Sequence, residues 1–244
     1  MINKDLRRKI VEKSRSCKLG HCGSALSCVD FINYLYEDVL TEKDAFILSK
    51  GHGCMALNAV LEKQGKNPEW VMHPELNEET GIYATTGSLG HGLPIAVGRA
   101  FAKKVKNEGK VYALLGDCEM AEGSIWEALL MAKNLKLENL TIFIDFNKYG
   151  ASYSTLETAN INEESLRKKL EAFDFKTLIL DGHDEEELKK IKTISPGLNA
   201  VILKTIKGKG IYFLEESHAH GFNFFFEEEK YKEIMEILED KTNS

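Results

Sequence analysis

The stretch "VYALLGDCEMAEG", Val111 to Gly123, begins as an apolar run and ends in Gly-Asp followed by an acidic segment. A second apolar run ends in "IDFNKYG", Ile144 to Gly150. The two runs have the composition of neighbouring buried strands, and Asp117 and Asn147 stand just past their ends. Two interpretations are open at this point: the two residues are ordinary turn residues that follow a strand, or they are the two halves of a metal site.

Predicted strands and helices alternate along the chain beyond residue 110. We predict strands over 111–115, 139–145, 176–180 and 198–204, and helices over about 122–136, 163–172 and 184–193. The alternation predicts an α/β fold with a parallel sheet covered by helices on both faces, because every parallel crossover needs a helix. Ligands of such sheets bind beyond the carboxyl ends of the strands, where Asp117 and Asn147 are expected.

The first 110 residues are predicted to be mainly helical, with an irregular segment over 66–90. We predict helices over about 3–17, 27–39 and 91–107, a short strand in "DAFILS", and a helix in "GHGCMALNAVLEKQG" whose first turn carries His52. Residues 1–244 are interpreted as one domain, with 210–244 as a carboxy-terminal extension that closes with a helix. Its apolar "FNFFF" run either packs under that helix or forms a partner interface.

Composition excludes several classes of protein. The chain has 244 residues, 43% of them hydrophobic, and a formal net charge of −6 without a dense basic cluster. A nucleic-acid or anionic-membrane role would need a concentrated basic surface. The five cysteines form no Cys-x-x-Cys pair, which is typical of reduced thiols, and no apolar run is long enough to span a bilayer. We therefore expect a cytoplasmic protein with no nucleic-acid or membrane partner.

The chemistry of Asp117 and Asn147 favours a cation that also binds phosphate. An Asp supplies an anionic oxygen and an Asn a neutral one, and Mg²⁺ on phosphates needs few protein carboxylates. Gly116 lets the backbone approach a ligand, and a helix that opens near Glu119 can direct amides at an anion. The residues thus indicate a phosphate-bridging metal site as the alternative to a plain loop.

The wider sequence resembles the amino-terminal half of transketolase. The matching stretches, in the family's order and over nearly all of the chain, are "GHCGSALS", "FILSKGHG", "HPE", "TTGSLGHGLPIAVG", "GDCEMAEGSIWEA", "IDFNKYG" and "HAHG". Gly116-Asp117 followed by Asn147 resembles the motif that binds thiamine diphosphate, Gly-Asp-Gly ending in Asn. The resemblance implies a transferase of carbohydrate metabolism that moves a two-carbon ketol unit from a ketose or ketose phosphate to an aldose.

The resemblance also implies roles for individual residues. The ligands of Mg²⁺ or Ca²⁺ would be Asp117, the Asn147 side chain and the Tyr149 carbonyl. The cofactor would be bound by His52, Gly87, Ser88, Leu89, Gly116, Cys118, Asn147 and His220. The residues that line the donor-sugar channel and handle its hydroxyl protons would be His21, His73 and His220. Glu122 matches a position that joins a carboxylate network across the subunit interface, or it is a first-turn acid favoured by the helix dipole.

Two other histidines have simpler interpretations. His183, in "DGHDEEEL", is predicted to lie in the turn before a helix that Asp184 caps. His218 stands two residues before His220, and the two could exchange roles.

The sequence departs from the family pattern at two positions. Cys118 stands where the motif usually has its second Gly, and His91 stands where full-length transketolases commonly have Gln. We expect cofactor binding to survive at residue 118, because the backbone amide remains and Cys is small. A thiol at a helix start can have a lowered pKa, so a catalytic cysteine is the second interpretation. No role is transferred to His91.

The family resemblance also implies a partner. In transketolases a glutamate that activates the cofactor comes from a separate pyrimidine-binding domain, and the arginines that grip the sugar phosphate also lie beyond this half. We therefore expect a carboxy-terminal, pyrimidine-binding subunit, in a heterotetramer with two copies of each chain. The alternatives are half of another thiamine diphosphate enzyme, such as one like deoxyxylulose-phosphate synthase or one acting on 2-oxo acids, a Mg²⁺-dependent phosphohydrolase, and a non-catalytic remnant of the fold.

Overall fold

Five parallel strands form the central sheet of the computed structural model, which describes residues 3–150, 153–217 and 227–239. The strands in chain order are β1 (Ala45–Leu48), β2 (Val111–Gly116), β3 (Leu140–Phe146), β4 (Tyr149–Gly150), β5 (Tyr153–Ser154), β6 (Lys176–Asp181) and β7 (Asn199–Lys204). The order in the sheet is β1-β2-β3-β7-β6, and every neighbouring pair is parallel. Strands β4 and β5 form a separate antiparallel hairpin. The predicted parallel sheet is confirmed; the hairpin was not predicted.

Helices connect the strands. They are α1 (Lys4–Ser16), α2 (Cys22–Tyr34), α3 (Cys54–Lys63), α4 (Gly92–Lys106), α5 (Gly123–Asn134), α6 (Thr155–Ala159), α7 (Glu163–Ala172), α8 (Glu185–Leu188), α9 (Tyr212–Ser217) and α10 (Glu228–Glu239). Four short turns extend this set in the described residues: a π-turn over Leu35–Val39, and 3₁₀ turns over Gly51–Gly53, Cys118–Ala121 and Lys189–Thr193. Across the described ranges, no helix is long and apolar enough to cross a membrane.

Helix α2 begins earlier than predicted. The predicted start was residue 27, and the helix starts at Cys22. His21 precedes it in the left-handed conformation, with φ at 64°, and its carbonyl accepts hydrogen bonds from the Ser24 and Ala25 amides. The second part of the stretch "GHCGSA", from Cys22 onward, therefore forms the first turn of the helix, and its small side chains fit the fully buried position of that turn. Hydrophobic periodicity gave no signal for the first turn of α2, since every residue of this helix is buried.

The core lies in two layers, one on each face of the sheet. Along β2, Tyr112 and Leu114 pack with α1, α2 and α3, whereas Ala113 and Leu115 pack with α4, α5 and α7. Side chains of a strand alternate between faces, so a strand buried on both sides must be apolar at every position. That condition explains the apolar runs that predicted β2 and β3, and the one charged residue within them, Asp145, is buried in an ion pair with Lys50.

A local sequence signal determines where helix α8 begins. The Asp184 carboxylate accepts hydrogen bonds from the Glu186 and Glu187 amides at 2.8 and 3.4 Å, which confirms it as the cap of α8.

In the carboxy-terminal extension, helix α10 packs on α1 through the buried Ile234 and Leu238. His218, His220 and the "FNFFF" run lie outside the described residues.

The sheet order positions four loops at one edge. The register pairs Gly116 with Asp145 and Asp145 with Leu203, so β2, β3 and β7 end side by side. Strand β1 ends next to them, because Leu48 pairs with Leu114. The loops that follow these strands therefore converge, as expected for the ligand edge of a parallel sheet.

Candidate functional site

A cavity of about 220 Å³ opens where these loops meet. The residues around it are His21, Ser24, His52, His73, Gly87, Leu89, Gly116, Asp117, Cys118, Glu119, Asn147, Tyr149, Gly150 and Lys207. Of the predicted site residues that the structure describes, all except Ser88 and Glu122 are among them. The structure thus brings together segments that are up to 186 positions apart in the chain, from His21 to Lys207.

Asp117 and Asn147 lie next to each other because β2 and β3 are neighbours. The Asp117 amide donates to the Asp145 carbonyl at 3.2 Å, which continues the strand pairing past Gly116. The Asp117 carboxylate accepts from the Cys118 amide at 2.8 Å and from the Lys148 amide at 2.5 Å. The Asn147 side-chain oxygen accepts from the Tyr149 amide at 3.0 Å. Both loops are therefore folded around the two polar side chains.

The Asp117 carboxyl is 1% exposed, so a negative charge on it is costly. Burial and, to a smaller extent, the nearby Asp145 carboxylate raise the pKa of Asp117, which is about 7. The two backbone hydrogen bonds and Lys50 act in the opposite direction. A cation next to Asp117 would remove this cost, because an opposite charge favours the ionised form.

Three histidines that line the cavity lie together. The His21 ring is 5.5 Å from the His73 ring and 5.8 Å from the His52 ring, measured between centroids. Gly87 has a positive φ of 153°, and a Cβ there would lie 3.1 Å from the His73 ring. Glycine at this position therefore lets the 87–90 loop approach His73. Burial lowers the pKa of His73, so its imidazole is neutral at pH 7.

Glu119 was not predicted as a site residue, yet it joins two loops that border the cavity. Its carboxylate accepts from the Ser49 hydroxyl at 2.6 Å, the Gly90 amide at 3.0 Å and the Gly116 amide at 3.1 Å. Burial raises the pKa of Glu119, and its hydrogen bond to Ser49 partly offsets that rise. These contacts fix the loop that carries Leu89 relative to the end of β2.

An ion pair between Lys50 and Asp145 lies beneath the cavity, and both side chains are 0% exposed. Asp145 also accepts from the Ser27 hydroxyl at 2.6 Å and from the Thr205 hydroxyl. Burial alone would disfavour both charges, but the pair outweighs it: Asp145 raises the pKa of Lys50, and Lys50 lowers the pKa of Asp145. Asn147 donates to the same Asp145 carboxylate at 3.3 Å, so the pair orients a predicted metal ligand.

Lys207 and Ser24 are cavity residues that the sequence reasoning missed. Lys207 is 3% exposed and follows the end of β7 in "KTIKGKG". Burial lowers the pKa of Lys207 to about 8, and the Lys50 charge contributes to the same shift. The signal for Lys207 was available, since a lysine next to a glycine just after a parallel strand stands at the ligand edge.

The Cys118 side chain is accommodated by the turn opposite. A Cβ built on Gly150 would lie 2.3 Å from the Cys118 sulfur, so glycine at residue 150 makes room for the thiol. Burial raises the pKa of Cys118, and the Asp117, Glu122 and Glu119 carboxylates raise it further. The thiol is therefore protonated at neutral pH, which disfavours a nucleophilic role.

We expect Cys118→Ala to leave the affinity for thiamine diphosphate and Mg²⁺ within about threefold of wild type, less than the loss of one net hydrogen bond. The backbone amide is unchanged, and alanine fits the space beside Gly150. Calorimetric titration of both proteins measures the effect. A loss of tenfold or more would show that the thiol itself takes part in binding.

Glu122 and His91 lie outside the cavity. Glu122 is exposed and precedes α5, a position compatible with both the interface and the dipole interpretation. His91 is exposed, with its ring nitrogen 3.3 Å from the Ser88 carbonyl. His220 lies in the segment that the structure does not describe, so its role stays a prediction.

No group of three or more His, Cys, Asp or Glu side chains that could hold a metal ion is found in the described part of the chain. The candidate set consists instead of one carboxylate, from Asp117, and the neutral oxygens of Asn147 and Tyr149. Each Asp117 oxygen and the Asn147 oxygen accept one backbone hydrogen bond, so each keeps capacity for a further contact. This donor set fits a hard cation that takes its remaining ligands from phosphate and water.

Comparisons with known proteins show the family of the chain. Residues 2–236 match the family described as transketolase, thiamine diphosphate binding domain. The chain is 35% identical to one of the subunits of the apulose-4-phosphate transketolase of Phocaeicola vulgatus, over 86% of this chain and 83% of that protein. It is 32% identical to the 6-deoxy-6-sulfo-D-fructose transketolase subunit SqwG of Clostridium sp. strain MSTE9, over 96% of this chain and 94% of that protein.

The fold is also similar to that of solved transketolases. The structure of the transketolase from Leishmania mexicana superposes with a TM-score of 0.84 at 25% identity, over 96% of this chain and 40% of that one. The molecule is thus an α/β thiamine diphosphate binding domain, and the chain belongs to the transketolase family. It spans about 40% of the length of that solved transketolase, and it corresponds in extent to the relatives named as subunits.

Proposed function

We propose that this chain is the amino-terminal subunit of a two-component transketolase and holds the diphosphate and metal end of thiamine diphosphate. The observation that carries the proposal is the cavity in which Asp117, Asn147 and Lys207 meet at the carboxyl ends of parallel strands. One carboxylate and two neutral oxygens suit Mg²⁺ or Ca²⁺, and a buried lysine suits the phosphate oxygens that complete the coordination.

The diphosphate would be bound mainly by cationic and polar side chains of the cavity. Lys207 supplies a charge whose pKa burial has lowered to about 8, so an anion next to it is stabilising. His52 and Ser24 line the same cavity. The Gly116 and Cys118 amides at the end of β2 already donate to the Glu119 and Asp117 carboxylates, so side chains would make most of the contacts to the diphosphate. The site thus offers positive charge where a diphosphate would lie and negative charge where the metal would lie.

The histidines would handle the protons of the sugar. Bound thiamine diphosphate supplies a nucleophilic thiazolium carbon and a ring that accepts an electron pair. His21 and His73 lie next to the cavity, and His73 is neutral because burial lowers its pKa. A neutral imidazole can accept a proton from a ketose hydroxyl, so these residues are proposed to act as general bases, with His220 as a third member.

A second polypeptide would complete the active site. Relatives of similar extent are themselves named as subunits of transketolases, which supports a partner for this chain. We propose that the partner is the pyrimidine-binding chain and that two copies of each form a heterotetramer in the cytoplasm. The exposed Glu122 and the extension over 210–244 of this single domain are proposed to contact it.

The substrates are proposed from the chemistry of the relatives. Apulose 4-phosphate carries a phosphate, and 6-deoxy-6-sulfofructose carries a sulfonate. A ketose with an anionic group far from its carbonyl is therefore the proposed donor, and an aldose the acceptor. The cation that grips the anionic group is expected from the partner.

We expect the isolated chain to show no ketol transfer from xylulose 5-phosphate to ribose 5-phosphate with thiamine diphosphate and Mg²⁺ present. Activity should appear when the separately purified pyrimidine-binding chain is added, because each chain supplies part of the site. A coupled spectrophotometric assay of each chain alone and of the mixture measures this. Robust turnover by the isolated chain would contradict the two-component proposal.

A further inference from the structure

The loop that carries Lys207 is held on both sides of this residue. The amide of Ile206, just before it, donates to His183 Nε2 at 3.0 Å. The carbonyl of Lys209, two residues after it, accepts from the Arg7 guanidinium at 3.1 Å. These contacts join the loop to α1 and to the turn before α8, far along the chain from residues 205–210.

Asp30 connects the two contacts. Its Oδ2 atom accepts from the Arg7 guanidinium and lies 2.8 Å from His183 Nδ1. The Arg7 and Asp30 side chains are 1% and 0% exposed, and the His183 side chain is 10% exposed. Arg7, Asp30 and His183 thus form one buried unit, named here the clamp, that contacts residues 206 and 209.

The hydrogen bonds define the state of the His183 ring. Nε2 accepts from the Ile206 amide, which can only donate, so Nε2 carries no hydrogen. Nδ1 therefore carries the hydrogen and donates it to Asp30. Asp30 is oriented in turn by Arg7, so each member of the clamp fixes the next.

A role in the turn does not account for this arrangement. Asp184, not His183, caps α8. The His183 ring contacts the Lys207 loop and α2 instead. A group that holds a ligand in place through its own hydrogen bonds is a common device around binding sites.

We propose that the clamp positions the Lys207 ammonium in the cavity and thereby sets the affinity for the cofactor diphosphate. This inference rests on the function proposed above, in which Lys207 contacts the diphosphate. Lys207 is 3% exposed and lines the cavity, so the position of its backbone determines where its ammonium group can meet a ligand. Arg7, Asp30 and His183 are thus positioning residues.

A double-mutant cycle tests the clamp. The dissociation constant of thiamine diphosphate at fixed Mg²⁺ is measured for this chain with its partner, in the wild type, His183→Asn, Lys207→Met and the double variant. Asparagine reaches only as far as Nδ1, so it keeps the donor to Asp30 and loses the acceptor for Ile206. We expect about a tenfold loss for His183→Asn and a larger one for Lys207→Met, as for a charged hydrogen bond.

The double variant is expected to bind like Lys207→Met alone, within about twofold, because the clamp acts through Lys207. His183→Gln is the matched control: its longer side chain can accept from the Ile206 amide, so its affinity should stay within about threefold of wild type. Unfolding midpoints of the cofactor-free chains show whether the two substitutions affect stability equally.

The outcomes separate the clamp from the proposed function. Additive losses in the double variant, or equal losses for Asn and Gln, would overturn the clamp. An unchanged affinity in Lys207→Met would overturn the diphosphate role of Lys207, and no binding by the wild-type complex would overturn the proposed function. If His183→Asn does not fold, Arg7→Lys, which loses the bond to the Lys209 carbonyl, replaces it in the same cycle.

Discussion

Asp117→Asn is expected to abolish Mg²⁺-dependent binding of thiamine diphosphate, with an affinity at least about a hundredfold lower, or about 2.8 kcal/mol. The substitution keeps the shape of the side chain and removes the one carboxylate of the proposed metal site. A neutral amide is a much weaker ligand for a hard divalent cation than a carboxylate. Calorimetric titration with thiamine diphosphate, with and without Mg²⁺, measures the loss.

Stability separates this effect from misfolding. Because the pKa of Asp117 is raised to about 7, a large fraction of the cofactor-free chain already holds a neutral Asp117 at pH 7. The Asn side chain can accept only one of the two backbone hydrogen bonds that Asp117 accepts, which costs about 1 kcal/mol, so the cofactor-free variant should unfold within about 5 °C of wild type. Asp174→Asn, at a carboxylate that is 66% exposed, is the control and should change neither property. Mg²⁺-dependent binding retained in Asp117→Asn would exclude Asp117 as a metal ligand.

Lys50→Met is expected to destabilise the chain by about 3–5 kcal/mol, which is typical when one partner of a buried ion pair is removed. The Asp145 carboxylate would then stay enclosed with hydroxyl and amide donors only, and its charge would be uncompensated. For a chain of this size the loss lowers the unfolding midpoint by about 10 °C. Differential scanning calorimetry of the cofactor-free chain measures it.

An exposed ion pair provides the comparison. Lys133 lies 2.8 Å from Asp174, with side chains 38% and 66% exposed. Lys133→Met should cost less than about 1 kcal/mol, because water screens such pairs. If Lys50→Met costs no more than Lys133→Met, the Lys50–Asp145 pair does not hold the loops of the cavity together.

The elements around the site could be predicted because their signals are local. Strand β2 is an apolar run, β3 is apolar except for Thr141 and Asp145, and their carboxyl ends directly precede Asp117 and Asn147. In a parallel sheet, neighbouring strand ends lie at one edge, so a pairing of two runs already places the two side chains together. The 87–90 loop and His52 were assigned to the site by the family resemblance of the glycine- and histidine-containing turns in which they stand.

The buried charges could not be predicted, because burial of a charged residue depends on distant partners. Lys50 in "LSKGHG" looks like a solvated lysine, and its partner Asp145 stands 95 positions later. His183 was interpreted as a turn residue, because Asp30 and the Ile206 amide become its neighbours only in the folded chain. The first helical turn of α2 was missed for a related reason: a helix buried on all sides has no polar face.

The position of β7 has a consequence for synthesis on the ribosome. In the sheet β7 separates β3 from β6, although β6 precedes it in the chain, so the nascent protein exposes an unpaired β3 edge until residue 204 has emerged. Unpaired edges are where partly made chains associate wrongly. Thr205 and Lys207 follow β7 directly. The arrival of one strand therefore both closes the exposed edge and brings in Lys207, the last residue along the described part of the chain that lines the cavity.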